Sequence, residues 1–482
     1  MLIITTLLVY LAALTLYSRL VTGRGDNSAF FNGNRRSPWY MVAFGMIGAS
    51  VSGVTFVSVP GMVNSIGMNY MQTCLGFIFG YMAVAFVLLP VYYKLRLTTI
   101  YSWLGERLGT GSYKTGALFF LVSKMMGAAV RFYVVCIILQ RYVFGGIGMP
   151  FFVTVLMLVF LIWLYTRRGG IKTLVWTDSF QTACMLIALC LIIYKVMDAL
   201  NLDLVGAVRA IAADSRSEWF EFDDVVSKQY FWKQFLSGIF IVIVMTGLDQ
   251  DMMQKNLTCR SLRDAQKDMC TYGMAFVPVN LLFLSLGVLL SMLCEQRGMA
   301  IPKGDELLPM FAASGLLGQS VVVFFTVGIL AASFSSADSA MTAMTTSWCI
   351  DICKSPGDER LRKRVHIAVA AVFACIILAV DAVGTTSVID AIYTLCSYTY
   401  GPLLGLFLYA ACHGRKRDGN IGRETPLAVI VALCIASSLL CYALDSATSA
   451  LWNYRFGYEL LMVNGGLTFL GLSIIRPERG RQ

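Results

Sequence analysis

Hydroxyl side chains and one carboxylate share a face of an apolar segment near residue 335. Four small residues recur at i, i+3, i+4 and i+7, the spacing of one helical face: Ala332, Ser335, Ser336 and Ser339. Asp338 lies beside two of these serines on that face. A hard monovalent cation prefers several oxygen ligands to nitrogen or sulfur ligands. Small hydroxyl residues also let a helix pack closely, with each hydroxyl bonding its own backbone, but the carboxylate favours an ion path.

A second cluster of small residues interrupts the apolar segment that begins near residue 38. Three glycines, two serines and a threonine fall within eleven residues: Gly45, Gly48, Ser50, Ser52, Gly53 and Thr55. This composition predicts a helix that unwinds near the bilayer centre, where freed carbonyls can coordinate a cation. A glycine- and serine-lined packing face explains the same composition about as well.

Other ionisable side chains also fall inside apolar segments, where they are costly and indicate function. Besides Asp338 they are Lys124, Arg131 and Asp178, with Asp390 and Glu459 nearer the segment ends. The last two are expected to reach the membrane interface with their polar groups. Asp178 is predicted about two turns inside the membrane, either as an ion ligand or as the partner of a basic group.

Composition identifies the class of protein that must position these residues. The 482 residues are 57% hydrophobic and only 14% charged, whereas a soluble chain is about 25% charged. The net charge of +10 comes from short basic clusters between apolar runs, which does not favour nucleic-acid binding. Two histidines and 14 scattered cysteines without a CxxC pair leave little room for a histidine metal site or a disulfide framework. The sequence therefore predicts an all-α polytopic membrane protein.

A membrane span needs about 20 mostly apolar residues. On that basis the chain has about thirteen transmembrane helices, near 2–20, 38–66, 69–93, 115–140, 149–166, 171–196, 231–252, 270–294, 316–350, 365–386, 388–412, 426–444 and 456–475. The first segment lacks the basic start of a signal peptide and is expected to be retained. The long loop 197–230 is predicted to hold one or two short amphipathic helices, and Tyr101–Arg107 another.

Charge in the loops predicts the orientation. Of the 38 basic residues, 27 fall in one set of alternate loops and 7 in the other. Because basic loops stay in the cytoplasm, the N-terminus is expected outside and the C-terminus in the cytoplasm. The protein is accordingly expected in the plasma (inner) membrane as a multi-pass protein surrounded by the lipid bilayer.

Three motifs carry a resemblance to a known family. They are Gly169-Gly170 with Thr177-Asp178 and Gln181, Gly247-Leu248-Asp249-Gln250 with Gln254, and the serine run Ala331-Ala332-Ser333-Phe334-Ser335-Ser336 with Ser339. With the interrupted segment and Tyr398-Thr399-Tyr400-Gly401-Pro402-Leu403-Leu404-Gly405, they cover almost the whole chain. The chain resembles the sodium/solute symporter family, which holds sodium-coupled sugar, proline, sialic-acid and monocarboxylate transporters.

The resemblance implies a LeuT-type core of two inverted five-helix repeats with discontinuous helices. The repeats would span 38–196 and 231–412, joined by the outer loop 197–230. An extra span and inner loop would occupy 1–37, and two further spans and a cytoplasmic tail 413–482.

The resemblance also implies sodium as the coupling ion and no other cofactor. The first sodium site would use the carbonyls of Gly48, Val51 and Ala332 and the hydroxyls of Ser335 and Ser336. A second site, present in some members, would match Asp178, Ser335, Asp338 and Ser339. Members commonly have a hydroxyl residue where this chain has Asp338, a departure that would either strengthen cation binding or let a proton replace the ion.

The implied solute pocket would use Ser52, Thr55, Gln72 and Arg131. Arg131 resembles the arginine that holds the carboxylate in sialic-acid-type members, and its guanidinium can bind a carboxylate bidentately. The alternative for Arg131 is that it pairs with a buried acid or extends its polar group to the membrane interface. Cys74 stands near the position where sugar-type members have an acid, which lowers the case for a simple hexose.

The implied function is sodium-coupled import of a small solute by a protein that is not an enzyme and works as a monomer. A carboxylate-bearing solute such as sialic acid, a monocarboxylate or an amino acid is favoured, and a sugar stays open. A proton-coupled transporter or exchanger on the same fold is the alternative. A membrane enzyme acting on lipid-linked substrates is remote, because the outer loop holds no histidine and no DxD-like motif.

Overall fold

The computed structural model describes residues 2–22, 27–167, 170–302, 304–313, 315–383, 388–413, 425–452 and 454–475. Gly169 of the first motif, the side chain of Asp390 and the tail after residue 475 lie outside this description. The α-helices are α1 (Leu2–Thr22), α2 (Asn27–Asn32), α3 (Trp39–Ser50), α4 (Gly53–Ile66), α5 (Tyr70–Ala83), α6 (Leu89–Lys94), α7 (Ser102–Leu108), α8 (Thr110–Leu139), α9 (Phe151–Thr166), α10 (Gly170–Ala199), α11 (Leu204–Ala213), α12 (Phe231–Val242), α13 (Gln250–Asn256), α14 (Leu262–Gln296), α15 (Leu307–Ala313), α16 (Gln319–Ser347), α17 (Glu359–Val383), α18 (Val388–Thr399), α19 (Gly401–His413), α20 (Leu427–Trp452) and α21 (Leu460–Ile475).

Eight helices in the described residues are long and apolar enough to cross a membrane, and two bent pairs raise this number to ten. The first pair, α3 and α4, bends by 58°; the second, α12 and α13, bends by 70°. The other predicted spans correspond to shorter helices, namely α9, the α18–α19 pair and α21. The polytopic helical fold is confirmed, and the count of about thirteen stays a prediction.

Loops at one end of the bundle meet each other through basic residues, and this end is called the basic face. Arg35 donates to the carbonyls of Arg96 and Leu97 at 2.9 and 3.0 Å. The Ser37 amide donates to the Thr258 carbonyl at 3.0 Å. The short helix predicted near 101–107 is α7, which follows this cluster. The basic loops of separate hairpins therefore form one surface.

The acidic loop 200–230 lies at the opposite face and holds α11, which confirms a short helix there. Asp203 begins α11 by accepting the Gly206 amide hydrogen at 2.8 Å. Arg216 pairs with Asp214 at 2.6 Å and with Glu295 at 2.9 Å. The guanidinium holds the pKa of the Asp214 carboxyl below its usual value through these hydrogen bonds. The loop is thus fastened to the end of α14.

The centre of the bundle is where α3 and α16 pack against α10. Glycines on α3 permit the contact with α10, since a Cβ added to Gly48 would lie 2.0 Å from Thr182 Oγ1. A Cβ added to Gly45 would lie 3.1 Å from Asp178 Cβ. Close approach of these backbones explains the glycines in the interrupted segment. It also brings the broken span to Asp178 and the serine run.

Candidate functional site

The break in the second span falls at Val51 and Ser52, between α3 and α4. The Ser52 amide donates to the Ser50 carbonyl, so the regular helical bond to Gly48 is not made. Within the described chain, the Gly48 and Val51 carbonyls accept no backbone hydrogen bond. Carbonyls freed in this way can coordinate a cation. The predicted interruption is therefore present.

Ser336 of α16 reaches the broken span from the side. Its hydroxyl lies 2.9 Å from the Ala49 carbonyl and 3.2 Å from the carbonyl of Ala332 on its own helix. Of the residues predicted for the first sodium site, Ser336 and Ala332 thus stand together beside the break that frees the other two carbonyls. The Ser335 hydroxyl points to Asp178 instead of the break.

Ser335 and Ser339 face Asp178 of α10, one turn apart on the predicted stripe. The Ser335 hydroxyl donates to Asp178 Oδ1 at 2.9 Å, and Ser339 Oγ lies 3.3 Å from Oδ2. All three residues are buried. The structure therefore brings together three of the four residues predicted for the second site, and their oxygens converge on one carboxylate.

Asp338, the fourth of them, joins the cluster through two hydroxyls. Tyr165 donates to its Oδ2 at 2.6 Å, and Ser339 Oγ lies 3.3 Å from its Oδ1. Ser339 is therefore placed between two buried carboxylates. A hydroxyl has one hydrogen to donate, so it can satisfy only one of them. Two buried carboxylates so close together need a nearby positive charge or a proton.

Lys255 of α13 completes the cluster, with Nζ 2.7 Å from Asp178 Oδ2. Its side chain is 1% exposed. The predicted span 231–252 leaves Lys255 in a loop, which is wrong, because the bend after α12 turns α13 inward and buries its last turn. Lys255 directly follows the motif residue Gln254, and this position could have indicated that its side chain is buried. Asp178 is thus the partner of a basic group, one of its two predicted roles.

A cavity of about 120 Å³ opens on the other side of the break. This exceeds the roughly 10–15 Å³ that a single water needs, so the space accommodates a small solute. Three of the residues predicted for the solute pocket, Ser52, Thr55 and Arg131, line it together with Ser336. Gln72 does not. Its side chain instead binds the acidic loop 200–230. It donates to the Gln229 carbonyl at 2.9 Å and accepts the Glu221 amide hydrogen at 3.1 Å.

A charged network that sequence patterns did not assign also lines the cavity. Lys124 of α8 lies 3.2 Å from Asp249 Oδ2 and 2.7 Å from Asp251 Oδ2. Tyr400 donates to Asp249 Oδ2 at 2.6 Å. Asp249 also begins α13, because its carboxylate accepts the amide hydrogens of Asp251 and Met252. This network fixes the second broken span against α8.

Arg131 is the other cation in the cavity wall, half-buried on α8. Within the part of the chain that the structure describes, its guanidinium forms no ion pair. Pairing with a buried acid, the alternative for Arg131, is not observed there. A guanidinium that faces a cavity without a carboxylate partner is suited to bind an anionic group of a solute.

Comparisons with known proteins find similar sequences along most of the chain. A family profile described as "Sodium:solute symporter family" matches residues 30–416. The human sodium/iodide cotransporter is 25% identical over 432 residues, covering 85% of this chain and 66% of its own length. The sodium/sialic acid symporter of Proteus mirabilis is 22% identical over 467 residues, 89% of each chain. The chain thus spans slightly less than two thirds of the human relative.

One solved structure extends the comparison to the fold. It is described as the substrate-bound outward-open state of a Na⁺-coupled sialic acid symporter, and it aligns with a TM-score of 0.82 at 17% identity. The alignment covers 100% of this chain and 98% of the other. The fold is therefore LeuT-type, with two discontinuous spans meeting near the bundle centre.

Proposed function

Because the chain belongs to the sodium:solute symporter family, we propose that it is a sodium-coupled symporter that imports a small carboxylate-bearing solute. One observation carries the solute class: the Arg131 guanidinium, without an ion-pair partner in the described chain, lines the cavity beside the broken span. The family consists of transporters, so the enzyme alternative is not carried further. Ser52 and Thr55 contribute polar contacts in the same cavity.

The first sodium ion binds at the break of the second span. Its ligands are the carbonyls of Gly48, Val51 and Ala332 and the hydroxyls of Ser335 and Ser336. The freed carbonyls and the position of Ser336 support this assignment. This assignment requires the Ser335 hydroxyl to turn from Asp178 toward the ion.

A second cation site comprises Asp178, Ser335, Asp338 and Ser339. Two buried carboxylates here share one ammonium, that of Lys255, and a monovalent cation would supply the second positive charge. The same geometry also favours the alternative of proton coupling, because a proton on one carboxylate would satisfy the contact equally well.

Sodium and solute binding are coupled through the broken span. Sodium holds α3 against α16, and this completes the cavity in which Ser52, Thr55 and Arg131 bind the solute. Each ligand therefore raises the affinity for the other by the same factor. With the basic face in the cytoplasm, the membrane potential adds about 2.3 kcal/mol per charge per 100 mV to inward movement.

This proposal includes the topology and assembly expected from the sequence. The protein is an inner-membrane monomer with the N-terminus outside and the C-terminus in the cytoplasm. The repeats span 38–196 and 231–412. The segregation of Arg35, Arg96 and Arg260 to one face supports the orientation.

Equilibrium binding of radiolabelled sodium to the purified protein tests the proposal, with potassium and choline as competitors. We expect saturable binding that the Ser335→Ala/Ser336→Ala variant loses. Ser473→Ala is the matched control, since among the described residues Ser473 of α21 bonds only its own helix at Phe469. The absence of specific sodium binding in the wild type would overturn sodium coupling. Uptake that follows a pH gradient without sodium would then establish the proton-coupled alternative.

A further inference from the structure

A second cavity opens between α9 and α17, with a volume of about 630 Å³ against about 120 Å³ for the solute cavity. Phe30 of α2, five residues before Arg35, belongs to its wall and places it at the basic face. Three cationic side chains and one carboxylate also line it, namely Arg167, Arg362, Lys363 and Glu359. The cations outnumber the acid, so the lining favours an anionic ligand.

Two of these cations are accessible to a ligand. Arg167 is exposed directly after α9, with its guanidinium 5.0 Å from the centre of the Trp163 ring. Within the described residues no carboxylate pairs with it. The Lys363 side chain is 61% exposed, although it pairs with Glu359 at 2.8 Å. Arg362 is buried beneath them, with Nη2 3.5 Å from Glu359 Oε1, so it adds positive charge without reaching the cavity surface.

Hydrogen bonds below the cavity hold the basic ends of the two helices together. Thr166 Oγ1 of α9 lies 3.0 Å from His366 Nε2 of α17. His366 Nδ1 lies 2.9 Å from Thr345 Oγ1 of α16. Thr166 directly precedes Arg167, and Lys363 is three residues before this histidine. The two accessible cations therefore stand on joined turns of neighbouring helices.

Exposed apolar side chains connect this cavity to the lipid-facing surface of the bundle. Phe160 of α9 is 55% exposed, and Ile367 of α17, which lines the cavity, is 52% exposed. Phe160, Trp163 and Arg167 share one face at i, i+3 and i+7, a rise of roughly 10 Å. Ile367 lies one turn from Lys363 on its own helix. Both helices thus change from apolar to basic toward the same end, the order in which a phospholipid carries its acyl chains and its phosphate.

We propose that this cavity binds the phosphate headgroup of an anionic phospholipid. The phosphate lies in the cavity with Arg167 and Lys363, and the acyl chains lie against Phe160 and Ile367. Basic pockets between membrane helices are suited to such headgroups. A soluble anion would use the cations but not the exposed apolar surface beside them, which is why a lipid is favoured. Neither sodium nor the solute takes part in this site.

Quenching of Trp163 fluorescence by lipids with brominated acyl chains tests the proposal. The full-length protein is reconstituted in phosphatidylcholine bilayers with increasing fractions of brominated phosphatidylglycerol or brominated phosphatidylcholine. The chain has eight tryptophans, so the part of the quenching that Trp163→Phe removes reports this cavity. We expect phosphatidylglycerol to be selected about fivefold or more, the effect of one basic residue at a membrane surface.

Three variants locate the selectivity. Replacing both accessible cations, in Arg167→Gln/Lys363→Gln, should remove it. Arg263→Gln/Lys267→Gln is the matched control, because it removes the same charges from exposed positions on α14 outside this cavity. Glu359→Gln should raise the selectivity several-fold, since it removes the carboxylate from the lining and releases Lys363. A gain of this kind cannot come from a misfolded protein.

Three results would contradict the proposal. Equal quenching by the two brominated lipids would overturn it, and so would an equal loss of selectivity in the cavity variant and the control. Displacement of brominated phosphatidylglycerol by excess glycerol phosphate, the headgroup without acyl chains, would overturn the lipid assignment and identify a site for soluble phosphate esters. Quenching that persists in its presence would support the lipid.

Discussion

Replacing Lys255 with methionine removes the ammonium from Asp178 while keeping an unbranched side chain of similar size. The pair is buried on both sides, with exposed fractions of 1% and 0%. Removing one partner of a buried ion pair costs about 3–5 kcal/mol, because the other charge is left uncompensated. An unfolding entropy of roughly 2.1 cal/mol/K per residue, applied to 482 residues, gives about 1 kcal/mol/K. We therefore expect the melting temperature in sodium-free choline buffer to fall by about 3–5 °C.

Sodium should reverse much of this loss. With the ammonium gone, Asp178, Asp338 and Ser339 present their oxygens to a cation without a competing positive charge. An ion present at 100 times its dissociation constant stabilises by about 2.7 kcal/mol. The assay is the melting temperature of purified Lys255→Met in choline and in sodium, followed by tryptophan fluorescence. The sodium-induced rise should be larger in the variant than in the wild type.

Two further variants make the reasoning refutable. Lys195→Met is the control, because Lys195 pairs with Asp198 at 3.8 Å in an exposed position, where ion pairs contribute little. Adding Asp178→Asn to Lys255→Met should recover part of the lost stability, since no uncompensated charge then remains. If Lys255→Met melts with the wild type in choline, or if sodium raises both proteins equally, the compensation argument is wrong.

Four other substitutions test the packing and the cavity. Arg131→Lys should weaken carboxylate binding measured by calorimetry, because lysine cannot bind bidentately; unchanged affinity would contradict that role. Gly48→Ala should lower stability by about 1–3 kcal/mol through overpacking. Adding Thr182→Ala should restore part of that stability, because it removes the hydroxyl that lies 2.0 Å from the new Cβ. A double variant no more stable than Gly48→Ala would contradict this contact. Tyr400→Phe removes a donor to Asp249 and should lower thermal stability by about 1.5–3 kcal/mol; a wild-type melting curve would contradict it.

The serine stripe and the interrupted span were predictable because each is a local pattern. The helical period alone puts Ser335 and Ser339 on one face, and the cluster of small residues around Gly48 indicates either a break or a close packing face. The structure contains both, with the serines on Asp178 and the break at Val51. Which helix each face would meet was supplied by the family resemblance, not by the pattern.

The charged partners could not be predicted in the same way. Lys124 and Asp249 are 125 residues apart in sequence, and Lys255 lies 77 residues beyond Asp178. Periodicity gives the face of a helix but not the element against which that face packs. The cost of burying a charge could have predicted that Lys124 needs an acidic partner. Asp249 belongs to the motif Gly247-Leu248-Asp249-Gln250 and was a candidate. The same cost could not have distinguished Asp249 from Asp251. Lys124 contacts both acids, and they differ in that Asp249 caps α13.

The break at Val51 and Ser52 also creates two helix ends of opposite partial charge, one suited to a cation and one to an anion, without any ionised side chain. A helix carries roughly half a negative charge at its C-terminus and half a positive charge at its N-terminus. The end of α3 therefore presents its negative pole where sodium is proposed, while α4 begins without a side-chain cap at the solute cavity. A single interruption thus gives the cation and the anion opposite poles of two half-helices. Changes that straighten this span should weaken both ligands together, whereas changes to Ser336 or Arg131 act on one ligand first.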